Sequence, residues 1–336
     1  MRVTAPQNEG GVVAVMTAVL AVLLFAAAAY AIDSGNLWQT RRNMVTATDA
    51  SALGAAGKFA IGVDGCATGG APTFLTDNRA DASLDSCQPS TADTRGGYVT
   101  VQGHTNVQFT FAGIFGVQNH DVSSTTTARW GIPSGALGFR PIALCITATP
   151  GLEQWLNLPT GPTGPTASPI TINLSNAQPD SCKDGGGNVA GNWGLAFGSA
   201  NNSNSDTVAW LFGGYPSTVS IGDDIHANPG AFSGSVQNAL QTLRDNHTWF
   251  ALPVFDRVDG LANGSNAQYH VVSFVWVQLA AYQVSGSQAS RFITINLDRG
   301  VIQGTCCLSG PDTGTRVVRI CDVDTLNPDT SDPSAC

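Results

Sequence analysis

Cysteine is the residue type in this sequence best suited to covalent chemistry, and the chain has eight cysteines. No two have the C-x-x-C spacing of a zinc ribbon or a redox dithiol, so we predict disulfides formed in an oxidising compartment. The adjacent Cys306 and Cys307 are not expected to bond to each other. Proximity along the chain favours pairing within three groups: Cys66 with Cys87, Cys145 with Cys182, and Cys306, Cys307, Cys321 and Cys336 among themselves.

The other reactive residue types form no recognisable catalytic or metal-binding pattern. The five histidines lack tight ligand spacing, and no Gly-x-Ser-x-Gly nucleophile motif occurs. Asp-Asp-Ile-His at 223–226 could approach a metal, but the flanking Gly222 and Asn-Pro-Gly at 228–230 favour a solvated turn. Aspartates between 322 and 332 could bind calcium, yet they lack the glycine and terminal glutamate of an EF-hand. We therefore expect no catalytic residue, no metal, no cofactor and no enzymatic activity.

The elements that must position these residues begin with an uncharged run at 10–32, bounded by Glu9 and Asp33. At about 1.5 Å per helical residue it can cross a bilayer core of roughly 30 Å, which predicts one membrane-spanning helix behind a cytoplasmic head at 1–9. A cleaved export signal is the alternative, because Ala-Tyr-Ala at 29–31 suits signal peptidase, although the apolar run exceeds a signal core. Arg41 and Arg42 oppose the positive-inside preference, but the cysteines place the later part of the chain outside the cytoplasm.

A helical pattern continues after the span, over residues 33–62. Apolar and small residues recur there at steps of three, four or seven, as on one face of a helix. They are Leu37, Met44, Thr48, Ala52, Ala55 and Phe59. We predict a thin helical stalk, in which the small side chains would let another helix approach closely. The other interpretation is that this face packs only against the chain's own globular domain.

The remainder predicts an α+β fold, in which the helix and stalk hold a disulfide-braced, β-rich domain outside the cytoplasm. A polar loop is expected at 63–97. A hairpin is expected next, with a turn at 103–106 between its two strands, and a third strand follows at 122–130. The expected regions are a cysteine loop and hairpin region at 63–131, a main domain at 132–310 and a cysteine-stapled tail at 311–336.

β-Branched and aromatic residues predict further strands in the main domain. The longest apolar one, at 270–284, is expected to be the core strand of a sheet. One amphipathic helix is predicted at 235–244, with Ser233 or Ser235 as its N-cap. The two hairpin strands are expected at 98–102 and 107–111, and the other strands at 142–146, 170–174, 193–197, 249–254 and 291–297.

Charge excludes one class of partner. The net charge is −9 and only 12% of residues are charged, with no basic cluster anywhere in the chain. Nucleic acid binding needs a basic surface, so we expect no nucleic acid partner.

Residues 8–57 also contain a recognisable series of motifs. They are the Glu-Gly-Gly string at 9–11, the apolar span, Asp-Ser-Gly at 33–35, the basic pair at 41–42 and Asp-Ala-Ser-Ala-Leu-Gly at 49–54. In this arrangement the chain resembles the TadE/TadG-like proteins of Tad (tight adherence) or Flp pilus assembly. Segments at 191–194, 252–256 and 269–272 are similar to the long actinobacterial members of that family.

The resemblance implies a single-pass envelope protein that assembles, primes or anchors a type IV-like pilus, in one form of this role as a minor pilin-like subunit. Its partners would be the membrane and other pilus-assembly or pilin subunits, contacted through the helix. Glu9 would either neutralise the amino terminus of a neighbouring subunit or simply face the cytoplasm. The implied assembly face is Glu9, Ala28, Asp33, Gly35 and Ala52. The alternative is a membrane-anchored or secreted surface-binding module, such as an adhesin, with no pilus role.

Overall fold

The computed structural model describes residues 10–90, 95–147, 150–156, 165–166, 168–173, 193–197, 203–228, 232–259, 267–287, 290–307 and 311–321. The predicted head at 1–9 with Glu9, and the cysteines at 182 and 336, lie outside these residues. The chain divides into two compact units. We call Met1–Ala52, Cys66–Gln88 and Thr100–Thr126 the hairpin unit, and Leu53–Gly65, Pro89–Val99 and Thr127–Cys336 the sheet unit.

An apolar helix is followed in sequence by a β-rich region. The helices are α1 (Gly10–Ala60), α2 (Ala71–Asn78), α3 (Pro150–Leu156), α4 (Asn204–Gly213) and α5 (Gly234–Asp245), with a 3-10 helix at Ala112–Phe115. The strands are β1 (Ser83–Pro89), β2 (Gly96–Gln108), β3 (Asn119–Gly131), β4 (Pro133–Leu137), β5 (Ile142–Cys145), β6 (Ile170–Asn173), β7 (Trp193–Phe197), β8 (Val219–Ser220), β9 (Asp224–Asn228), β10 (Trp249–Asp259), β11 (Gln268–Gln283), β12 (Phe292–Asp298), β13 (Gly300–Cys306) and β14 (Thr315–Ile320).

Helix α1 is continuous through both the predicted span and the predicted stalk. Its apolar part is rich in Ala, Leu and Val and contains no proline, so no residue there breaks the helix. α1 also runs through the Asp-Ser-Gly motif at 33–35, because Gly35 lies in a run of ordinary helix formers. One glycine costs about 1 kcal/mol in a helix, too little to end one of 51 residues.

In the hairpin unit, the later part of α1 packs against the chain's own strands. Met44 and Ala47 are completely buried, in a cluster with Leu75 of α2, Val107 of β2 and Val122 of β3. The hydroxyl of Ser51 donates to the carbonyl of Ala71, at the start of α2, over 2.7 Å. For this part of the predicted stripe the structure therefore shows the second interpretation, packing within the chain.

The predicted turn at 103–106 is wrong, because β2 passes straight through it. Every second residue of β2 from Val99 to Val107 is buried, including Gly103 and Thr105. A Cβ at Gly103 would lie 3.0 Å from the Met44 Cε and 3.1 Å from the Leu75 Cδ2. Glycine is present here because α1 and α2 approach the strand closely. The actual connection between β2 and β3 lies at residues 109–118.

The predicted loop at 63–97 also contains regular structure that the sequence analysis missed. Its middle forms α2 and its later part forms β1. A proline in the first turn of α2 suits a helix start, and Leu75 is fully buried against α1. Helix α2 was not predicted because the segment at 63–97 is polar and this short helix buries only one face.

In the sheet unit, residues 127–131 of β3 begin a sheet that continues through β14, β13, β4 and β8. β14 is antiparallel to β3 and parallel to β13, so it has a partner on each side. Residues 315–320, predicted as part of an extended tail, therefore lie inside the sheet. They hold the buried Arg316, whose guanidinium forms a two-pronged ion pair with Asp312 at 2.7 and 2.8 Å.

A second sheet contains β10, β5, β7, β9, β11, β12 and β6, in that order. β11 also pairs with β10, so five of these strands form a closed ring. One face packs under α3, α4 and α5, and the other face packs on residues of the first sheet of this unit. The predicted strands at 142–146, 170–174, 193–197, 249–254, 270–284 and 291–297 and the predicted helix at 235–244 are confirmed within a few residues. The Ser233 hydroxyl caps α5.

The last turns of α1 belong to the sheet unit. Phe59 stacks on the fully buried Trp130 of β3, with ring centroids 5.4 Å apart. Gly62 follows the helix with a φ of 82°, and its Cα faces the guanidinium of Arg299 so closely that a Cβ would clash with it. The last turn of α1 and the residues just after it are therefore packed against β3 and Arg299 within the sheet unit.

Candidate membrane and assembly surface

The first half of α1 is bare along its apolar length. Its side chains are mostly more than half exposed, reaching 76% at Phe25 and 77% at Tyr30. Its threonine, Thr17, donates its hydroxyl to the Val13 carbonyl over 2.8 Å, so this polar group is satisfied within the helix. Among the described residues this is one helix long and apolar enough to cross a membrane. A signal sequence would pass the same test of length and composition.

The four described residues of the predicted assembly face do not form one surface. Ala28 is exposed on the bare half of the helix, and Gly35 is exposed with no atom within 4 Å of a Cβ built on it. Asp33 and Ala52 are both buried inside the chain. Asp33 and Ala52 are therefore not available to another helix, because the chain itself covers both side chains.

Asp33 instead joins α1 to the connection between β2 and β3. Its carboxylate accepts hydrogen bonds from the backbone N–H groups of Thr110 (2.9 Å), Phe111 (3.0 Å) and Ala112 (2.7 Å). Burial acts to raise the pKa of Asp33, the first residue after the apolar run, but the donors at Ala112, Thr110 and Phe111 together lower the pKa below its ordinary value. A carboxylate is thereby fixed at the end of the apolar run.

Sequence analysis missed this contact, although a signal was present. The connection reads Phe-Thr-Phe-Ala-Gly-Ile-Phe-Gly-Val at 109–117, unusually apolar for the tip of a hairpin. Assigning the turn to 103–106 placed the first three of these residues, 109–111, in a strand. An apolar tip of this kind indicates a partner, and in the structure part of that partner is α1.

The exposed face of α1 changes character just after Asp33. Trp38 is 63% exposed, and the Arg42 guanidinium lies over its ring, 4.9 Å from the centroid. With Gly35 on the same face, these residues form a shallow notch that continues to Thr46. An exposed tryptophan with an arginine directly after an apolar helix is typical of a membrane–water interface.

The cysteines are cross-linked in the described part of the chain. Cys66 bonds to Cys87 across 21 residues, which confirms that predicted pair. Cys145 and Cys321 are also disulfide-bonded. Cys182, the predicted partner of Cys145, lies outside the described residues, as does Cys336, one of the three cysteines predicted to pair with Cys321. The structure also pairs the sulfur atoms of the adjacent Cys306 and Cys307, against the expectation that these neighbours would not bond.

Other polar clusters are explained by packing between strands. His270 of β11 contacts Asp256 of β10 at 2.8 Å, and Arg257 forms an ion pair with Asp259 at 2.7 Å. The hydrogen bond to Asp259 raises the pKa of Arg257. The segment at 223–226, predicted as a solvated turn, instead begins strand β9 at Asp224. Within the residues that the structure describes, no group of three or more His, Cys, Asp or Glu is placed to hold a metal ion.

Comparisons of the chain with protein-family models, with curated proteins and with solved structures find no match.

Proposed function

We propose that this chain is a single-pass envelope protein that acts in assembly, priming or anchoring of a Tad/Flp pilus, with residues 10–32 in the membrane and the β-rich domain outside the cytoplasm. The supporting observation is the asymmetry of α1. Its first half is apolar and bare, whereas its second half packs into the folded domain. Exposed apolar surface of this extent needs a cover, and lipid or the helices of other subunits can supply it.

The motif series at 8–57 favours a pilus role over simple anchoring. In that role the bare helix contacts helices of other pilus subunits, and small residues such as Ala28 form the close contact. Because lipid tails are as apolar as leucine, Ala28→Leu leaves lipid contact unchanged but obstructs close helix packing. The surface-binding alternative requires only the lipid contact.

A pair of matched variants separates these roles. Ala26 is also exposed, and at about 100° per residue it lies roughly 200° around the helix from Ala28. We expect Ala28→Leu to abolish pili, counted by electron microscopy, and co-purification of pilus components, while Ala26→Leu retains both. Both variants should stay in the membrane fraction. Normal pili with Ala28→Leu would favour the surface-binding module.

The membrane topology has its own test. Amino-terminal sequencing of the cell-bound protein should find residues 1–32 retained, and a protease added outside intact cells should digest the β-rich domain. A mature protein beginning at Ile32 would show that the helix is a cleaved export signal.

A further inference from the structure

We propose that residues 109–117, the apolar part of the connection between β2 and β3, are a second membrane-contacting element, which inserts into the lipid interface beside α1. We call this segment the hairpin tip. The inference rests on the proposed role of residues 10–32 as the membrane span. Its ligand is the lipid surface itself, at the level where the span leaves the hydrocarbon core.

The composition of the hairpin tip suits lipid. Six of its nine residues, Phe109 to Val117, are Phe, Ala, Ile or Val, two are glycine, and none is charged. Val117 is 51% exposed. An apolar segment at the apex of a surface hairpin is unfavourable in water and favourable in the membrane interface.

Backbone N–H groups of the hairpin tip are hydrogen-bonded within the protein, as an environment without water requires. In lipid, each N–H group needs a partner within the protein. Asp33 takes three of them, those of Thr110, Phe111 and Ala112. The N–H of Val117 donates to the carbonyl of Ala112 at 3.1 Å. The N–H groups of Gly116 and Phe109 donate to Gly113 and Gln118, at 3.1 and 3.0 Å. Six tip N–H groups are thus satisfied without solvent.

Two polar boundaries meet at Asp33. On the hairpin, polar side chains begin directly behind the tip, where Gln108 donates to Asn106 and Asn106 donates to Asp121, each over 2.8 Å. On α1, the apolar run stops at Ile32. β2 and β3 pack beside the part of α1 that follows Asp33, and the tip bonds to Asp33 itself, so the tip is the end of the hairpin nearest the apolar run.

The exposed residues of α1 give an independent measure of depth. Trp38 is five residues beyond Asp33, which is about 8 Å along a helix. The interfacial layer on each side of a bilayer is of similar thickness, since the core is about 30 Å and the whole membrane about 40–45 Å. An exposed Trp38 with Arg42 over its ring therefore lies at headgroup level when Asp33 and the hairpin tip lie at the edge of the hydrocarbon core.

The test uses the full chain in nanodiscs of phosphatidylcholine and phosphatidylglycerol that contain a phosphatidylcholine with a photoactivatable diazirine near its headgroup. Lipid adducts are mapped by mass spectrometry after illumination. We expect adducts on the hairpin tip as well as on residues 10–32. Adducts on residues 10–32 without any on the tip would overturn the inference and leave the span intact. A chain with no adducts on either segment would refute both.

A matched pair of variants tests the contact directly. Val117→Glu should reduce adducts on the hairpin tip by about threefold or more, because a carboxylate opposes insertion near the interface. Val63 is 48% exposed and lies beyond the other end of α1, so Val63→Glu is the control and should leave tip adducts unchanged. Equal labelling of the tip in the two variants would overturn the inference. A photoreactive group placed in the hairpin tip and activated in intact cells would also overturn the inference if it formed crosslinks only to protein.

Discussion

Gly103 tests whether the second half of α1 is truly packed against its own hairpin. The perturbation is Gly103→Ala, which adds one methyl group to a buried position of β2. That Cβ would lie 3.0 Å from the Met44 Cε, 3.0 Å from the Ser83 carbonyl oxygen and 3.1 Å from the Leu75 Cδ2. The methionine can move, but the Ser83 oxygen is backbone and moves only with β1. The methyl group therefore cannot be accommodated without a shift of the neighbouring strand.

The expected magnitude follows from two opposing effects. Overpacking of a tight core costs about 1–3 kcal/mol. Replacing a glycine by alanine gains about 0.4–1 kcal/mol, because the unfolded chain loses freedom. Taking the middle of each range, the net loss for Gly103→Ala is about 1.3 kcal/mol. Gly96→Ala, in the same strand, is the matched control, since its nearest neighbours would be the Trp130 carbonyl oxygen at 3.5 Å and the Gly131 Cα at 3.8 Å, an ordinary contact.

Hydrogen exchange of the β2 amides in the full chain measures the effect. Because 1.4 kcal/mol is a factor of ten, Gly103→Ala should accelerate exchange by about tenfold. Gly96→Ala should leave exchange unchanged or slow it. If Gly103→Ala behaves as the control does, residues 103–106 are not packed under α1 and the turn predicted from the sequence is correct after all.

Three further predictions concern the cross-link, the buried ion pair and the pH response. Removing the Cys66–Cys87 bond by double substitution with serine should lower the free energy of unfolding by about 3 kcal/mol, the value for a loop of this 21-residue separation, as measured by urea unfolding of the unreduced variant and parent. Asp312→Asn removes the carboxylate that forms the ion pair with the buried Arg316 guanidinium and should cost about 3–5 kcal/mol by the same assay. The double change Asp312→Leu, Arg316→Met should cost less, and equal losses would contradict the pairing. The pKa of Asp33 is lowered by folding, so its stabilisation is complete above its ordinary value of 3.8 and is lost as the pH falls through the depressed folded value. Protection of the hairpin-tip amides, corrected for intrinsic exchange, should decline only below about pH 4 in the parent and should show no such step in Asp33→Asn.

Features set by neighbours along the chain were predictable from the sequence. The apolar run without proline predicts a helix whatever surrounds it, and α1 extends through all of it. Strands such as β7 and β11 lie where β-branched and aromatic residues cluster. Ser233 caps α5 through a local contact three residues ahead. In each case the energy that favours the element acts over a few residues, so it is visible in the sequence.

Features decided by residues far apart in sequence were not predictable. Glycine has the same chemistry in a turn and in a crowded strand, and only the approach of Met44 and Leu75 makes Gly103 a strand residue. The stripe through Met44 and Ala52 predicts that one face of the helix is buried, but it does not identify the surface that covers that face. In the sequence, Asp33 is simply a polar residue at the end of the apolar run. In the folded chain the hairpin tip, which lies more than 70 residues later, brings three N–H donors to its carboxylate. Periodicity encodes which face of an element is buried, whereas the identity of the covering surface depends on long-range packing, which the tertiary structure alone decides.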